Sequence, residues 1–415
     1  MNVFSAGRNF FATILATHIS SEAVQALAFS LAIIMVVNMI VFGILSLIGS
    51  DFSHLKTRAE QQEKTANYRR VCFILSVLII VFLSALYAVM NAYGKLSALN
   101  FVFMMTYAIA FVPFIYSSAL RYMLLAHGHT AIIKLTNVIT FALSVIITVI
   151  CYIILPQLSI VCFAIGVLCA FIYNVWHLSI YAYQKKILLV DKSAFFSIRL
   201  HDFLMSVRFI YQGVKVAFVY ASDAMFSALI IMFTLHHNHE YILAVQVSLQ
   251  LFMLASFWIT GFANAIMIIL PKNLVFQSSR KAFAILIYFI LKACVRYMLI
   301  VAAVAIVFLY SIFADVFSLS GQSLVIARQE VYLILLLVGA DFIRQTLFYI
   351  LRSFKHMNYA IMTSYGVYVL AGIVIAILNY HWVTPVSYIV VYILASLAIA
   401  LIYFRCVSKF KFKRG

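Results

Sequence analysis

Charged residues are scarce in this chain, and acids are the scarcest of them. Only 10% of the 415 residues are charged, and 29 Lys and Arg outnumber 11 Asp and Glu. A chain that is 66% hydrophobic has too little polar surface to cover a soluble globular domain. The composition therefore excludes a soluble protein and predicts a polytopic membrane protein.

Cysteine is also sparse, and no pair of cysteines stands in a Cys-x-x-Cys pattern. The six cysteines lie in or beside apolar runs, so they predict neither a disulfide framework nor a metal site. The loop His236–Glu240 holds three histidines, but residues this close in sequence do not all face one ion. We expect no metal and no cofactor. The net charge of +18 is spread over loops, so we also expect no nucleic-acid partner.

Long apolar runs recur along the whole chain. Windows of about 20 apolar residues, enough to cross about 30 Å of hydrocarbon, predict helices at 24–48, 71–93, 101–125, 131–154, 158–181, 207–235, 241–270, 285–313, 331–353, 359–380 and 384–405. A weaker candidate at 2–17 is interrupted by Arg8. At about 24 Å that helix is shorter than the hydrocarbon core. We expect a truncated, poorly anchored first helix.

Basic residues concentrate in every second connection. By the positive-inside rule these connections are cytoplasmic, and they are Ser50–Arg70, Tyr183–Ser206, Pro271–Lys281, the turn at Arg352–His356 and the C-terminal tail. We expect the first of them to be a solvated loop. The pattern predicts a multi-pass protein of the bacterial inner membrane, with the lipid bilayer as its partner and a cytoplasmic C-terminus.

One connection, Tyr183–Ser206, divides the predicted helices into two groups of six. We expect an N-terminal lobe at 1–182, a cytoplasmic linker at 183–206 and a C-terminal lobe at 207–415. A repeat supports this division: Leu120-Arg121 closes the fourth helix before a turn that contains Gly128, and Leu351-Arg352 closes the tenth before another short polar turn. Arg121, Gly128 and Arg352 are therefore candidate structural residues of equivalent turns.

Two acids, Asp223 and Asp341, lie well inside apolar runs, whereas the other nine, Glu330 among them, lie in connections or at the ends of runs. An isolated charge at mid-bilayer costs roughly 2.5–3.5 kcal/mol, so an intramembrane acid predicts a functional site. Two such acids on separate helices predict one shared site. A desolvated carboxylate pair can hold a proton at neutral pH, and a charged carboxylate can bind Na⁺ or attract a cationic substrate.

Neighbouring residues give each acid a second, structural interpretation. Arg344 lies three residues after Asp341, so the two can form an ion pair on one helix face. Tyr220 and Ser227 share the face of Asp223. They can donate hydrogen bonds to it or simply fill a packed interface.

Several motifs, taken in order, resemble the multidrug and toxic compound extrusion (MATE) transporters. Asp341, Gln345 and then Leu351-Arg352, with the arginine eleven residues after the acid, resemble the tenth helix of that family. Gly213, ten residues before Asp223, resembles the seventh. Further resemblances are Phe42-Gly43, Gly261-Phe262, and Ala126–Thr130 with His129 in place of an acid. The usual acid of the first helix is replaced by Asn2, so an N-lobe proton site is not expected.

The resemblance implies an all-α protein of about twelve transmembrane helices in two pseudo-symmetric six-helix lobes. It also implies an antiporter, not an enzyme, that exports amphipathic or cationic small molecules in exchange for H⁺ or Na⁺. Asp223 and Asp341 would be the cation-coupling residues, with Arg344, Gln345, Tyr220 and Ser227 in support. We expect a monomer.

Two other classes stay open. Two intramembrane acids also suggest an aspartyl protease, but the contexts Ser222-Asp223 and Gly339-Ala340-Asp341 lack the second glycine of that pattern, and the helices are too many. A lipid-linked oligosaccharide flippase of the same superfamily would line its cavity with cations for a pyrophosphate. The candidates for that role are Lys215, Lys292, Arg296 and Arg344.

Overall fold

The structure, a computed structural model, describes residues 3–53, 58–92, 98–187, 200–237, 241–274, 280–307, 315–317, 319, 321–353, 357–380 and 385–408. Within these residues the chain forms a 3₁₀ turn at Pro156–Leu158 and twelve α-helices. They are α1 (Val3–Ile19), α2 (Ser21–Ser53), α3 (Arg58–Ala92), α4 (Ala98–Ala126), α5 (Thr130–Ile154), α6 (Val161–Gln184), α7 (Leu200–His237), α8 (Ile242–Leu274), α9 (Arg280–Val307), α10 (Gly321–Ser353), α11 (Met357–Tyr380) and α12 (Pro385–Ser408). The all-α prediction is confirmed.

Ten of these helices, α2–α6 and α8–α12, are long and apolar enough to cross a membrane. Hydrocarbon offers no hydrogen bonds to the backbone, so a spanning chain must satisfy its own amide groups, as long helices do. Large apolar side chains also stay on the outside of the helices: Leu299 of α9 is 66% exposed and Met362 of α11 is 77% exposed. These features identify a multi-pass membrane protein.

Helices extend well beyond the predicted apolar windows at several points. The prediction of a solvated loop at Ser50–Arg70 is wrong, because its first residues belong to α2 and its last thirteen to α3. α10 likewise begins at Gly321, ten residues before its apolar window. An apolar window ends at the first cluster of charges, whereas a helix continues because each added residue adds a backbone hydrogen bond.

A buried polar cluster stabilises these extensions in the first part of the chain. Tyr68 is fully buried, and its hydroxyl donates to Asp51 Oδ2 at 3.1 Å. Ser206 Oγ donates to Asn67 Oδ1 at 2.7 Å, and the Tyr68 and Phe209 rings pack 5.4 Å apart. The charged ends of α2 and α3 therefore form part of the packed structure together with the first turns of α7.

The chain divides into two compact units, which meet in sequence within α7. The first unit comprises Gly7–Ala224 and the second comprises Met225–Gly415 with Met1–Ala6. In the first unit α4 packs against α2, α3 and α6, and α6 packs against α5. In the second unit α10 packs against α8, α9, α11 and α12. The predicted lobes at 1–182 and 207–415 stay a prediction.

The first helix is well packed, so the prediction that it is poorly anchored is wrong. Ala12, Thr13 and Ala16 are 0% exposed, and the guanidinium carbon of Arg8 lies 4.7 Å from the centroid of the Phe171 ring. A helix that packs inside a bundle does not have to match the thickness of the hydrocarbon. Small residues and a cation–π contact therefore compensate for its length and charge.

Glycine lets two helices touch in the first unit. A Cβ on Gly43 of α2 would lie 2.2 Å from Ala217 Cα of α7, and one on Gly213 of α7 would lie 2.8 Å from Ile44 Cα of α2. No real Cβ tolerates such distances, so both positions require glycine for this close approach. Two glycines that the MATE resemblance had singled out on different helices thus meet at one crossing.

The turn between α4 and α5 has the predicted glycine in a left-handed conformation. Gly128 has φ +79°, and the amide of His129 donates to Leu124 O at 2.9 Å across the helix end. Glycine adopts this conformation without the steric cost of a side chain. Arg121 lies in the last two turns of α4 and is partly buried. The equivalent turn after Arg352 lies outside the described residues.

Candidate functional site

Asp341 lies in the middle of α10, the helix around which the second unit is packed. Its side chain is 1% exposed. The residues one turn before it, Leu337 and Val338, are fully buried apolar side chains. A charged group in such surroundings is costly unless it is paired and hydrogen-bonded.

The Asp341 carboxylate is hydrogen-bonded through both oxygens. Oδ1 accepts from Arg344 Nε at 3.0 Å and from an Arg344 terminal nitrogen at 2.5 Å. Oδ2 accepts from Gln345 Nε2 at 2.7 Å and from Ser256 Oγ of α8 at 3.2 Å. Residues three and four positions apart share a helix face, which explains how α10 supplies three of the four donor contacts, two from Arg344 and one from Gln345. The structural ion pair that the sequence allowed is therefore formed.

A second layer of contacts orients the donors. Thr260 Oγ1 of α8 donates to Gln345 Oε1 at 2.9 Å, so the amide nitrogen of Gln345 points to the carboxylate. The guanidinium of Arg344 lies 5.9 Å from the centroid of the Tyr368 ring on α11. Arg344 is thus held between a carboxylate and an aromatic face, both of which favour a cation.

This arrangement keeps Asp341 ionised. A carboxylate offers about four acceptor positions, and Arg344, Gln345 and Ser256 supply four donor contacts. A proton or a cationic ligand can therefore reach Asp341 only if one of these donors is displaced.

The other predicted coupling acid, Asp223, lies on α7 at the end of the first unit and is partly buried. Ser227 is buried at 8% exposure, whereas the side chain of Tyr220 is outside the described part of the structure. Asp223 and Asp341 belong to different units, and their shared site stays a prediction. The proposed hydrogen bonds to Asp223 also stay predictions.

No group of three or more His, Cys, Asp or Glu that can hold a metal occurs among the described residues. Residues 238–240 of the histidine-rich loop lie outside them. Of the cations considered for a pyrophosphate, Lys292 and Arg296 are exposed on α9, and Arg344 is neutralised by Asp341. The side chain of Lys215 is not among those described.

One acid, Glu330, is buried where the sequence predicts the end of an apolar run. α10 begins ten residues earlier than the apolar window, and Glu330 is 0% exposed. Glu330 lies eleven residues before Asp341, which is three helical turns, so both acids share one face of α10. The spacing of eleven residues between the two acids was the sequence signal that could have placed Glu330 on the same buried face as Asp341.

No family model matches this sequence, and no curated protein is similar to it by sequence. Solved structures are similar over nearly the whole chain. The inward-facing conformation of a multidrug resistance MATE family transporter of the MOP superfamily superposes with a TM-score of 0.76, at 14% identity, over 98% of this chain and 94% of that one. This chain has the MATE fold.

Two further structures share the MATE fold with it. The eukaryotic MATE transporter AtDTX14 has a TM-score of 0.68 at 15% identity, over 99% of this chain and 94% of its own. A MOP superfamily transporter from Pyrococcus furiosus, described by a reversed polarity of its binding pocket that suggests a different function, has a TM-score of 0.70 at 15% identity, over 97% and 91%. At these identities the similarity is one of fold.

Proposed function

We propose that this chain is a secondary transporter that exports amphipathic or cationic small organic molecules in exchange for H⁺ or Na⁺. The observation that carries the proposal is the buried carboxylate of Asp341, which lies at the centre of the second unit in a chain with the MATE fold. Fold alone does not imply function. A buried charge in a spanning helix, however, is expensive and indicates a functional site by default.

Arg344 gives this site a way to exchange cations. In the structure its guanidinium forms an ion pair with Asp341 and lies over the ring of Tyr368. An incoming organic cation or a coupling ion competes with Arg344 for the same carboxylate, so only one of them occupies it at a time. Such competition for one site is the basis of coupled exchange, because binding of either ligand excludes the other.

Transport in proteoliposomes tests the proposal, with ethidium as the organic cation and an imposed pH or Na⁺ gradient as the driving force. We expect gradient-driven ethidium transport by the parent and background transport by Asp223→Asn and Asp341→Asn. Exposed Glu63→Gln is the matched control and should transport like the parent. Parent-like transport by both Asp variants, or no gradient-driven transport by the parent, would contradict the proposal.

Loss of transport in Asp341→Asn alone has a trivial explanation, because the change leaves Arg344 buried without its counter-charge. The double variant Asp341→Asn with Arg344→Gln removes both charges and therefore separates the two roles. If Asp341 is a coupling residue, the double variant folds but does not transport. If Asp341 only neutralises Arg344, the double variant recovers transport.

A second candidate function is export of an anionic substrate, such as a lipid-linked pyrophosphate. The observation that favours it lies in the first unit, where Arg8 is 8% exposed and close enough to partly buried Arg121 for the two charges to repel each other. Two neighbouring guanidinium groups suit a phosphate or carboxylate ligand. An Arg8 variant, described in the Discussion, tests this alternative.

In either case we expect a monomer in the bacterial inner membrane with a cytoplasmic C-terminus. The basis for the cytoplasmic C-terminus is the alternation of basic and neutral connections along the chain.

A further inference from the structure

Glu330 lies in α10 in surroundings very different from those of Asp341. Its side chain is 0% exposed. Ser248 of α8 is also 0% exposed. Its hydroxyl interacts with the Glu330 carboxylate and favours the ionised form. Its hydroxyl does not complete a hydrogen bond, and among the described residues neither oxygen of Glu330 has a hydrogen-bond partner.

The residues around Glu330 on its own helix are apolar and buried. Ala327, Val331 and Ile334 are 0% exposed and Ile326 is 5% exposed. No cation compensates the carboxylate from α10 in the described chain: Arg328 is exposed, and Arg344 lies about four turns away, on Asp341.

The helices packed against α10 bring no acid and no buried cation to Glu330 in their described residues. The one charged residue of α8, Lys272, is more than six turns beyond Ser248. α11 carries no charged residue, and the cations of α9 and α12 whose side chains are described are exposed on the surface, namely Lys292, Arg296 and Arg405. The titratable groups of α12 that are buried near its start are the phenols Tyr388 and Tyr392.

A buried carboxylate without a cationic partner is far more stable when it is neutral, because ionisation in an apolar environment carries a large desolvation cost. We propose that Glu330 is the proton-carrying acid of the second unit and that Ser248 is its hydrogen-bond partner, while Asp341 stays ionised, paired with Arg344 or with the cation that displaces it. A serine hydroxyl suits this role, since it accepts a hydrogen bond from the protonated acid and donates one to the ionised acid.

The ligand of this site is a proton and not a metal cation. Hard cations such as Mg²⁺ and Ca²⁺ gather about six or more oxygen ligands. Here Ser248 is the one described side chain shown to interact with the Glu330 carboxylate. The proposal deepens the proposed exporter function, on which its coupling role rests, whereas the protonation of Glu330 can be measured without any transport.

The protonation is tested by infrared spectroscopy of the purified protein in a detergent that contains no ester or carboxyl groups, in the region where protonated carboxylic acids absorb. We expect a carbonyl band in the parent at neutral pH that disappears on raising the pH and is absent from Glu330→Gln. Glu63→Gln, an exposed acid, should keep the band. A Glu330→Gln protein that retains the band, or a parent that lacks it, overturns the proposal.

Ser248→Ala provides a second test that does not depend on the folding of Glu330→Gln. Removal of the hydroxyl takes away the donor that stabilises the ionised acid. The pH at which the band disappears should therefore rise by about one unit. An unchanged pH of disappearance overturns the role of Ser248.

Transport measurements then separate this proposal from the proposed function. With the parent active under a pH gradient, Glu330→Gln should lose gradient-driven ethidium transport but keep ethidium exchange across the membrane at equal pH. Gradient-driven transport at the parent's rate would overturn the coupling role of Glu330. An inactive parent with an intact infrared band would instead overturn the exporter function and leave the protonation of Glu330 supported.

Discussion

The two compact units differ in the charged residues that they bury. Among the described residues four charged side chains are buried, and only Arg8 belongs to the first unit; the second unit holds Glu330, Asp341 and Arg344. The acids of the first unit whose side chains are described are exposed or partly buried, and the Tyr68 hydroxyl donates to Asp51. The difference teaches that, among the described residues, buried carboxylates occur in the second unit and not in the first.

Each unit compensates its buried charged side chains in a different way. Arg8 lies over the face of Phe171, which stabilises a cation without any acid. Asp341 is paired with Arg344, and Glu330 has no such partner in the described chain. A protein with a net charge of +18 thus concentrates two of its few acids on one face of α10.

The largest effect is expected from Arg344→Gln, which removes the buried cation of the second unit. Asp341 would be left as an uncompensated buried charge, so the free energy of unfolding should fall by about 3–5 kcal/mol. Thermal unfolding in detergent measures it. Arg328→Gln, exposed on the same helix, is the control and should change stability by less than about 0.5 kcal/mol. Parent-like unfolding of Arg344→Gln would show that the ion pair does not stabilise this unit.

A smaller effect is expected from Gly43→Ala in the first unit, where the new Cβ would approach Ala217 Cα to 2.2 Å before relaxation. Separating α2 from α7 should lower the free energy of unfolding by about 1–3 kcal/mol. Gly366→Ala on α11 is the matched change in the second unit, where nothing lies within 4 Å of the new Cβ. It should leave stability unchanged or raise it by up to about 1 kcal/mol. Equal effects of the two variants would contradict the close approach at Gly43.

The smallest effect is expected from Arg8→Met, which removes the buried cation of the first unit. Loss of the contact with Phe171 should lower the free energy of unfolding by about 0.5–2 kcal/mol and leave proton-driven ethidium transport intact. Lys134→Met, an exposed cation on α5, should change neither. If Arg8→Met instead abolishes transport of an anionic lipid pyrophosphate that the parent carries, the second candidate function replaces the first.

Much of the fold was predictable from the spacing of apolar windows, since eleven windows and one weak segment correspond to twelve helices. The ends of the helices were not, because the charged residues at Arg58–Arg70 and Arg328–Glu330 interrupt a hydropathy window but not a helix. The site was predictable in part. Asp341, Arg344 and Gln345 were named as possible partners from their spacing alone, and the structure joins them.

The partners that lie on other helices could not be predicted. Ser256 and Thr260 are ordinary helical residues in sequence, and only the packing of α8 against α10 brings them to Asp341 and Gln345. Arg8 was read as an interruption of a helix, whereas the structure places it over Phe171. The close contact of Gly43 with α7 was equally invisible, because a glycine that permits a crossing resembles any other glycine in the sequence.

The sequence by itself determined that this protein lies in a membrane, that it is helical and that its few acids are the candidate functional residues. Those properties follow from composition and from local periodicity, which act along the chain. The tertiary structure decided the charge state that each buried acid adopts. That state depends on whether the packed helices supply a counter-charge: Asp341 is paired with Arg344, while Glu330, three turns away, is fully buried and has no hydrogen-bond partner among the described residues.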